Sequence, residues 1–224
     1  MPTLAHPPVL SAYAELSELA SQPARQAYVQ ARKAEFETRT GTFAVQDAWH
    51  EARMRAFHDD LVTQVDFHAT LPGSAEPSVA KGRSDLLRAF RGLFRLRRGG
   101  SAAGDGFLVV NIIDHAEYYV TLNDAFLRQA LDAIEEAVFD ARITASDRVL
   151  SLLPGAFVHP EDATQAIEGV VRTGVARGIE CGVLLDALLR MEHQLRVRSR
   201  VRASQVYRVE SLAPGIDAQG RRAI

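Results

Sequence analysis

The sequence predicts an α+β fold: N-terminal helices, a central, mainly antiparallel sheet, and C-terminal helices ending in an arginine-rich strand. Three observations carry that expectation. Apolar residues recur at steps of three and four before residue 100 and again after residue 160. Between them, residues 105–158 hold short apolar or alternating runs separated by turn residues. Finally, RVRSRVRAS, from Arg196 to Ser204, has arginine at every second position through Arg202, which as a strand puts the charges on one face; the alternative is a helix continuing through Leu195, Ser199, Ala203 and Val206. One domain over residues 1–224 is expected: 1–100 mainly helical, 105–158 two hairpins with an intervening helix, and 160–224 helices plus a strand.

The first helix is expected between a start signal at Ser21 and Pro23 and a stop at Gly41, with a stripe of Ala24, Ala27, Tyr28, Ala31 and Ala34. A second follows the cap residue Asp47 and carries His50, Met54, Phe57, Leu61 and Val65 on one side. Leu71 to Gly82 reads as a loop from its Pro, Gly and Ser content. A third helix is expected from about Ser84, with Leu86, Phe90, Leu93 and Phe94 apolar and Arg88, Arg91, Arg95 and Arg98 as a separate basic stripe. Gly99 and Gly100 would end it.

Phe107 to Asp114 is a nearly continuous apolar run, as in a strand covered on both faces. Glu117 to Leu122 returns as its partner, and Asn123 starts a short acidic helix through Leu127, Leu131 and Ile134. Ala137 to Thr144 alternates Phe139, Ala141 and Ile143 with Asp140, Arg142 and Thr144, and the turn at Ser146–Arg148 leads into VLSLL. Two hairpins of this kind suit a sheet that curls into a small, partly open barrel. Pro160, Glu161 and Asp162 open a helix with Ala163, Ala166, Ile167, Val170 and Val171 inward and Gly178 at its end. Leu184, Leu188, Met191 and Leu195 mark the next.

Composition narrows the function classes. No run of about 18 apolar residues occurs, so no membrane span is expected. The N-terminal stretch lacks the basic, apolar and small-residue regions of a secretory signal, and the single Cys181 excludes an internal disulfide; both fit a cytoplasmic protein. IECGVLL supplies no activating neighbour for Cys181, which points to packing rather than nucleophilic chemistry. The net charge of -2 argues against bulk attraction to nucleic acid. Local charge is different: Arg83–Arg98 holds six arginines against Asp85, and Arg190–Arg208 six against Glu192.

Those segments supply the candidate binding residues: Arg88, Arg91, Arg95 and Arg98 in the first, and Arg196, Arg198, Arg200, Arg202 and Arg208 in the second. Guanidinium groups in a row suit an acidic protein surface or phosphates, because each presents a planar fork of donors. The competing explanations are an edge strand kept soluble by charge, or pairing with Asp132, Glu135, Glu136 and Asp140. An edge strand would also suit pairing with a second copy. Nucleic acid is less favoured, since Tyr207 is the sole nearby aromatic for stacking.

Motifs for catalysis are weak. Asp47, His50 and His58 share a helical side, and AFHDD resembles HD-type metal phosphohydrolases in one dipeptide only. Asp114, His115 and Glu117 cluster at a turn, and His159 precedes a helix start; neither forms a catalytic set without a partner from elsewhere. No phosphate loop, nucleophile elbow, dinucleotide fingerprint or paired-cysteine zinc site is present, so neither a cofactor nor a metal is expected. The expected function is non-catalytic binding of an acidic partner through the arginine surfaces. The alternatives are nucleic-acid binding through residues 196–208 and a hydrolase drawing histidine and carboxylates from separate segments.

Overall fold

The computed structural model describes residues 8–74, 76–97, 106–121, 138–198 and 200–212. It has the α+β composition expected. Helices α1 (Pro8–Ser21), α2 (Gln26–Thr40), α3 (His50–Val62), α4 (Val65–Ala69) and α5 (Pro77–Leu86) precede the sheet. Strands β1 (Phe90–Leu96), β2 (Gly106–Asn111), β3 (Glu117–Thr121), β4 (Val138–Ser146), β5 (Val149–Leu152) and β6 (Phe157–Val158) follow. Helices α6 (Thr164–Ala176), α7 (Cys181–Val197) and α8 (Ala203–Val206) complete the described part. The helix expected after Asn123, and its acids Asp132, Glu135 and Glu136, lie outside the described residues.

The sheet runs β1-β2-β3-β5-β4-β6, and β1 also pairs with β4, so hydrogen bonds pass around a ring of five strands. All contacts in the ring are antiparallel except β3 with β5. Only two residue pairs, Val120–Leu150 and Thr121–Ser151, join that parallel step, which leaves the ring short of a well-formed barrel. Five strands joined in this order, with the third parallel to the fifth, follow the connectivity of OB-type sheets.

Alternation along the strands explains the layers. Phe94, Val109, Val120, Phe139, Ala141 and Ile143 form one cluster inside the ring. The opposite face of β1 and β4 carries Leu93 and Val138, which pack against Ile167, Val171, Leu184 and Leu188 of α6 and α7. A third cluster lies among the N-terminal helices, with Leu16, Phe36, Phe57, Leu61 and Phe67 fully buried or nearly so.

Two expectations about the arginine segments are corrected. The segment carrying Arg88, Arg91 and Arg95 is not a helix: α5 ends at Leu86, and Phe90–Leu96 is strand β1. Steps of three and four in the arginines mimic a helix, but β1 is held by β4 along Phe90–Arg95 and by β2 along Phe94–Leu96. Pairing on both sides outweighs local spacing. Likewise, Leu71–Gly82 is not wholly a loop, because Pro77 opens α5 at a favourable first position.

The segment 196–208 is not a strand, and so not a sheet edge for a second copy. Arg196 and Val197 complete α7, Arg200 takes a left-handed φ of 64°, and α8 follows. The parity pattern fails because Val197 is as exposed as the arginines beside it. Ala203, Val206 and Tyr207 are the buried residues, at the spacing of one helical turn.

Elsewhere, Gly41 ends α2 at φ 102° and Gly178 follows α6 at φ 68°, a conformation that favours glycine. The alanine stripe of α2, in contrast, faces solvent, and Phe36 and Thr40 carry the buried side. Val65 lies beyond the end of α3 and is exposed. Among the described residues, no helix is long and apolar enough to cross a membrane.

Candidate functional site

The strand assignment of β1 decides the fate of the first arginine group. Residues 91, 93 and 95 share the face turned toward α6 and α7. Arg91 sits opposite Arg142 of β4, a like-charge pair that would repel if left alone. Carboxylates separate them. Arg91 donates to Asp140 (Nη2 to Oδ2, 2.5 Å) and to Asp186 (Nη1 to Oδ1, 2.6 Å). Asp186 also accepts from Arg39 at 2.6 Å, Arg39 reaches Asp60 at 3.0 Å, and Arg142 donates to Asp60 at 2.6 Å.

The result is a chain of alternating charge, Asp140–Arg91–Asp186–Arg39–Asp60–Arg142, drawn from α2, α3, β1, β4 and α7. Three cations meet three anions, so the cluster is internally neutral. It ties the N-terminal helices, the sheet and the C-terminal helices at one point. Arg91 is therefore an interior residue, not part of a solvent-facing basic stripe.

Asp59 lies beside this chain as an extra acid. It is buried, accepts from Tyr13 Oη at 2.8 Å, and its Oδ2 has no hydrogen-bond partner. Gly155 lets the chain approach closely here: a Cβ on it would lie 2.3 Å from Arg55 O and 2.5 Å from Asp59 Cγ. Burial pushes the Asp59 carboxyl up to about 7, outweighing the opposing field of Arg142.

An unfolded aspartate titrates near 3.9, so between about 4 and 7 the folded chain keeps a proton that the unfolded chain has released. Stability from this group is therefore greatest below pH 4 and declines as pH rises toward 7. Asp59→Asn should remove the decline, and its advantage over the parent should grow from pH 5 to pH 8, reaching about 2–4 kcal/mol. Urea unfolding at several pH values measures it; an advantage that does not change with pH contradicts the assignment. His159 acts in the opposite direction. Burial lowers its imidazole to about 4, so it costs stability as pH falls below about 6.5.

The remaining arginines divide into matched and unmatched groups. Arg88 pairs with the buried Asp85, and Arg95 with Glu168 of α6. Arg196 donates to Glu192 at 2.8 Å. Arg98 lies outside the described residues. Arg198, Arg200, Arg202 and Arg208 are exposed and have no ion pair among the described residues.

Those four project from a segment that is anchored beneath. Ala203, Val206, Tyr207 and Leu212 belong to the same apolar cluster as α6 and α7. Tyr207 Oη meets the buried His159 Nδ1 at 3.1 Å, and its backbone N–H donates to Ala203 O. The arginines thus sit on a packed underside. Sequence spacing located the segment; the pairing that removes Arg91, Arg95 and Arg196 depends on acids up to 95 positions away in the chain, as between Arg91 and Asp186.

The histidines occupy separate settings. His115 is at the exposed β2–β3 turn with φ 60°, while His159 packs against the rings of Phe157 and Tyr207. His50 lies against Phe43 at the start of α3, and burial lowers the His58 imidazole below its usual range. Cys181 is half-buried and burial raises its thiol. Among the described residues, no group of three or more His, Cys, Asp or Glu side chains is placed to hold a metal ion. Compared with known proteins, the chain matches no family model, no curated protein and no solved structure.

Proposed function

We propose that this chain is a binding protein, without catalysis of its own, that docks an acidic protein partner through Arg198, Arg200, Arg202 and Arg208. The observation that carries this reading is the contrast in pairing. Arg88, Arg91, Arg95 and Arg196 are matched to carboxylates, whereas these four stand exposed without an ion pair among the described residues. A segment held by Ala203, Val206 and Tyr207 presents them with less ordering cost than a free tail would. Planar guanidinium forks favour carboxylate partners, which they can grip with two parallel bonds.

The test is the triple variant Arg198→Glu, Arg200→Glu, Arg202→Glu, titrated against a fluorescent glutamate-rich peptide by anisotropy. The parent should bind saturably. The variant should lose about tenfold or more in affinity while its thermal unfolding stays within a few degrees of the parent. Equal binding by both chains would remove the proposal.

A second reading, nucleic acid on the same arginines, is favoured by the OB-type strand connectivity alone, and fold likeness does not establish function. It predicts tighter binding to a single-stranded oligonucleotide than to the peptide, with affinity falling steeply as salt rises.

A further inference from the structure

A groove of about 410 Å³ lies between the β1–β2 edge of the ring and α6. Its floor is aliphatic: Val110, Ile112, Ile113, Val171 and Val175. Its polar members are Arg95, His115, Glu168 and Arg172. Ile112 and Ile113 sit in a turn, where polar residues are usual. Asn111 builds that turn, because its buried side chain accepts from the Ile113 N–H at 3.1 Å while the Ile112 N–H donates to Leu93 O. The next residues carry His115 into the left-handed region, which L side chains rarely adopt. The turn thus commits two branched apolar side chains and an imidazole to the same concavity.

Charge selects the occupant. Glu168 is engaged by Arg95, while Arg172 is exposed and has no ion pair among the described residues. The lining therefore carries one positive charge in excess beside an apolar floor. An anion with an apolar body fits both features; a polyanion does not, because it would set charge against five aliphatic residues. Size agrees in that about 410 Å³ falls within the range of small-molecule sites.

We propose that this groove binds a medium-chain monocarboxylate, with its carboxylate on Arg172 and its aliphatic chain on Val110, Ile112, Ile113 and Val171. This site is separate from the arginine segment 198–208 and does not depend on its role.

Decanoate is the probe, titrated calorimetrically into the full chain below its micellar range. One saturable site per chain is expected. Decanol, of the same length without the charge, and butyrate, with the charge but little chain, should each bind about tenfold more weakly or worse. Arg172→Glu should weaken decanoate by at least about tenfold and leave thermal stability near the parent, since the residue is exposed. Val175→Trp, at a position 45% exposed, should block the groove. Arg177→Glu, exposed at the end of the same helix and outside the lining, should bind as the parent does. Absence of saturable decanoate binding overturns the proposal, as does binding that Arg172→Glu leaves unchanged. Equal affinity for decanoate and decanol overturns the assignment of the carboxylate to Arg172.

Discussion

Replacing Glu192 by alanine should destabilise the chain by about 3–5 kcal/mol, because it strands a charge in the interior. Glu192 and Arg53 both have 0% exposed side chains and meet at 2.7 Å. Arg53 also donates to Leu189 O at 2.5 Å and to Thr40 O at 3.2 Å, and its guanidinium lies over the Phe157 ring. Those contacts hold the guanidinium in place but do not neutralise it. Its Nε already lacks a partner, so the site has no spare acceptor to offer.

A loss of this size should lower the melting temperature by roughly 10 °C in a chain of this length. The double variant Arg53→Met, Glu192→Leu removes both charges and should recover most of the loss, since buried ion pairs break nearly even against apolar packing. Urea unfolding of Arg53→Met, Glu192→Leu and the double variant closes the cycle. A double variant as unstable as Glu192→Ala would mean that shape, not the uncompensated charge, governs the site.

Replacing Arg91 by methionine should be of comparable size, about 3–5 kcal/mol, for a different reason. Arg91 joins two carboxylates at once: Nε and Nη2 clasp Asp140, and Nη1 holds Asp186. Without it Asp186 keeps Arg39, but Asp140 is left buried with no other ion pair among the described residues. Arg91→Lys should fall between the two, since an ammonium keeps the charge and cannot span both acids with a planar fork. Adding Asp140→Asn to Arg91→Met should restore a large part of the loss by removing the stranded anion. Thermal and urea unfolding of this series check the ordering; a lysine variant as stable as the parent would show that charge alone suffices at this point.

Both results depend on features that the sequence displays unequally. Helices α2, α3, α6 and α7 and strands β2 to β5 were legible because their signals are local, whereas α1, α4 and α8 were not anticipated. Pro160 with its following acids, Gly41 and Gly178 mark helix ends, and the apolar run at Phe107 and the alternation at Phe139 mark strands. Phe90–Leu96 misleads because arginines three and four apart satisfy a helix, while the strand depends on two partners distant in the chain. RVRSRVRAS misleads for the converse reason. Its alternation satisfies a strand, yet no sheet edge takes it up, and α7 runs on through Val197 with Arg196 paired to Glu192 one turn before.

The sequence by itself determined the α+β class, a block of strands with helices before and after it, and the two places where cations concentrate, since each follows from residues near one another in the chain. Only the tertiary structure decided which arginines are spent internally. Asp140 reaches Arg91 through the pairing of β1 with β4, Asp186 and Glu168 reach theirs through the packing of β1 against α7 and α6, and Glu192 reaches Arg53 where α7 lies against α3. Whether a guanidinium is a binding group or a buried counter-charge depends on what lies within about 4 Å of it, and sequence spacing carries no record of that distance.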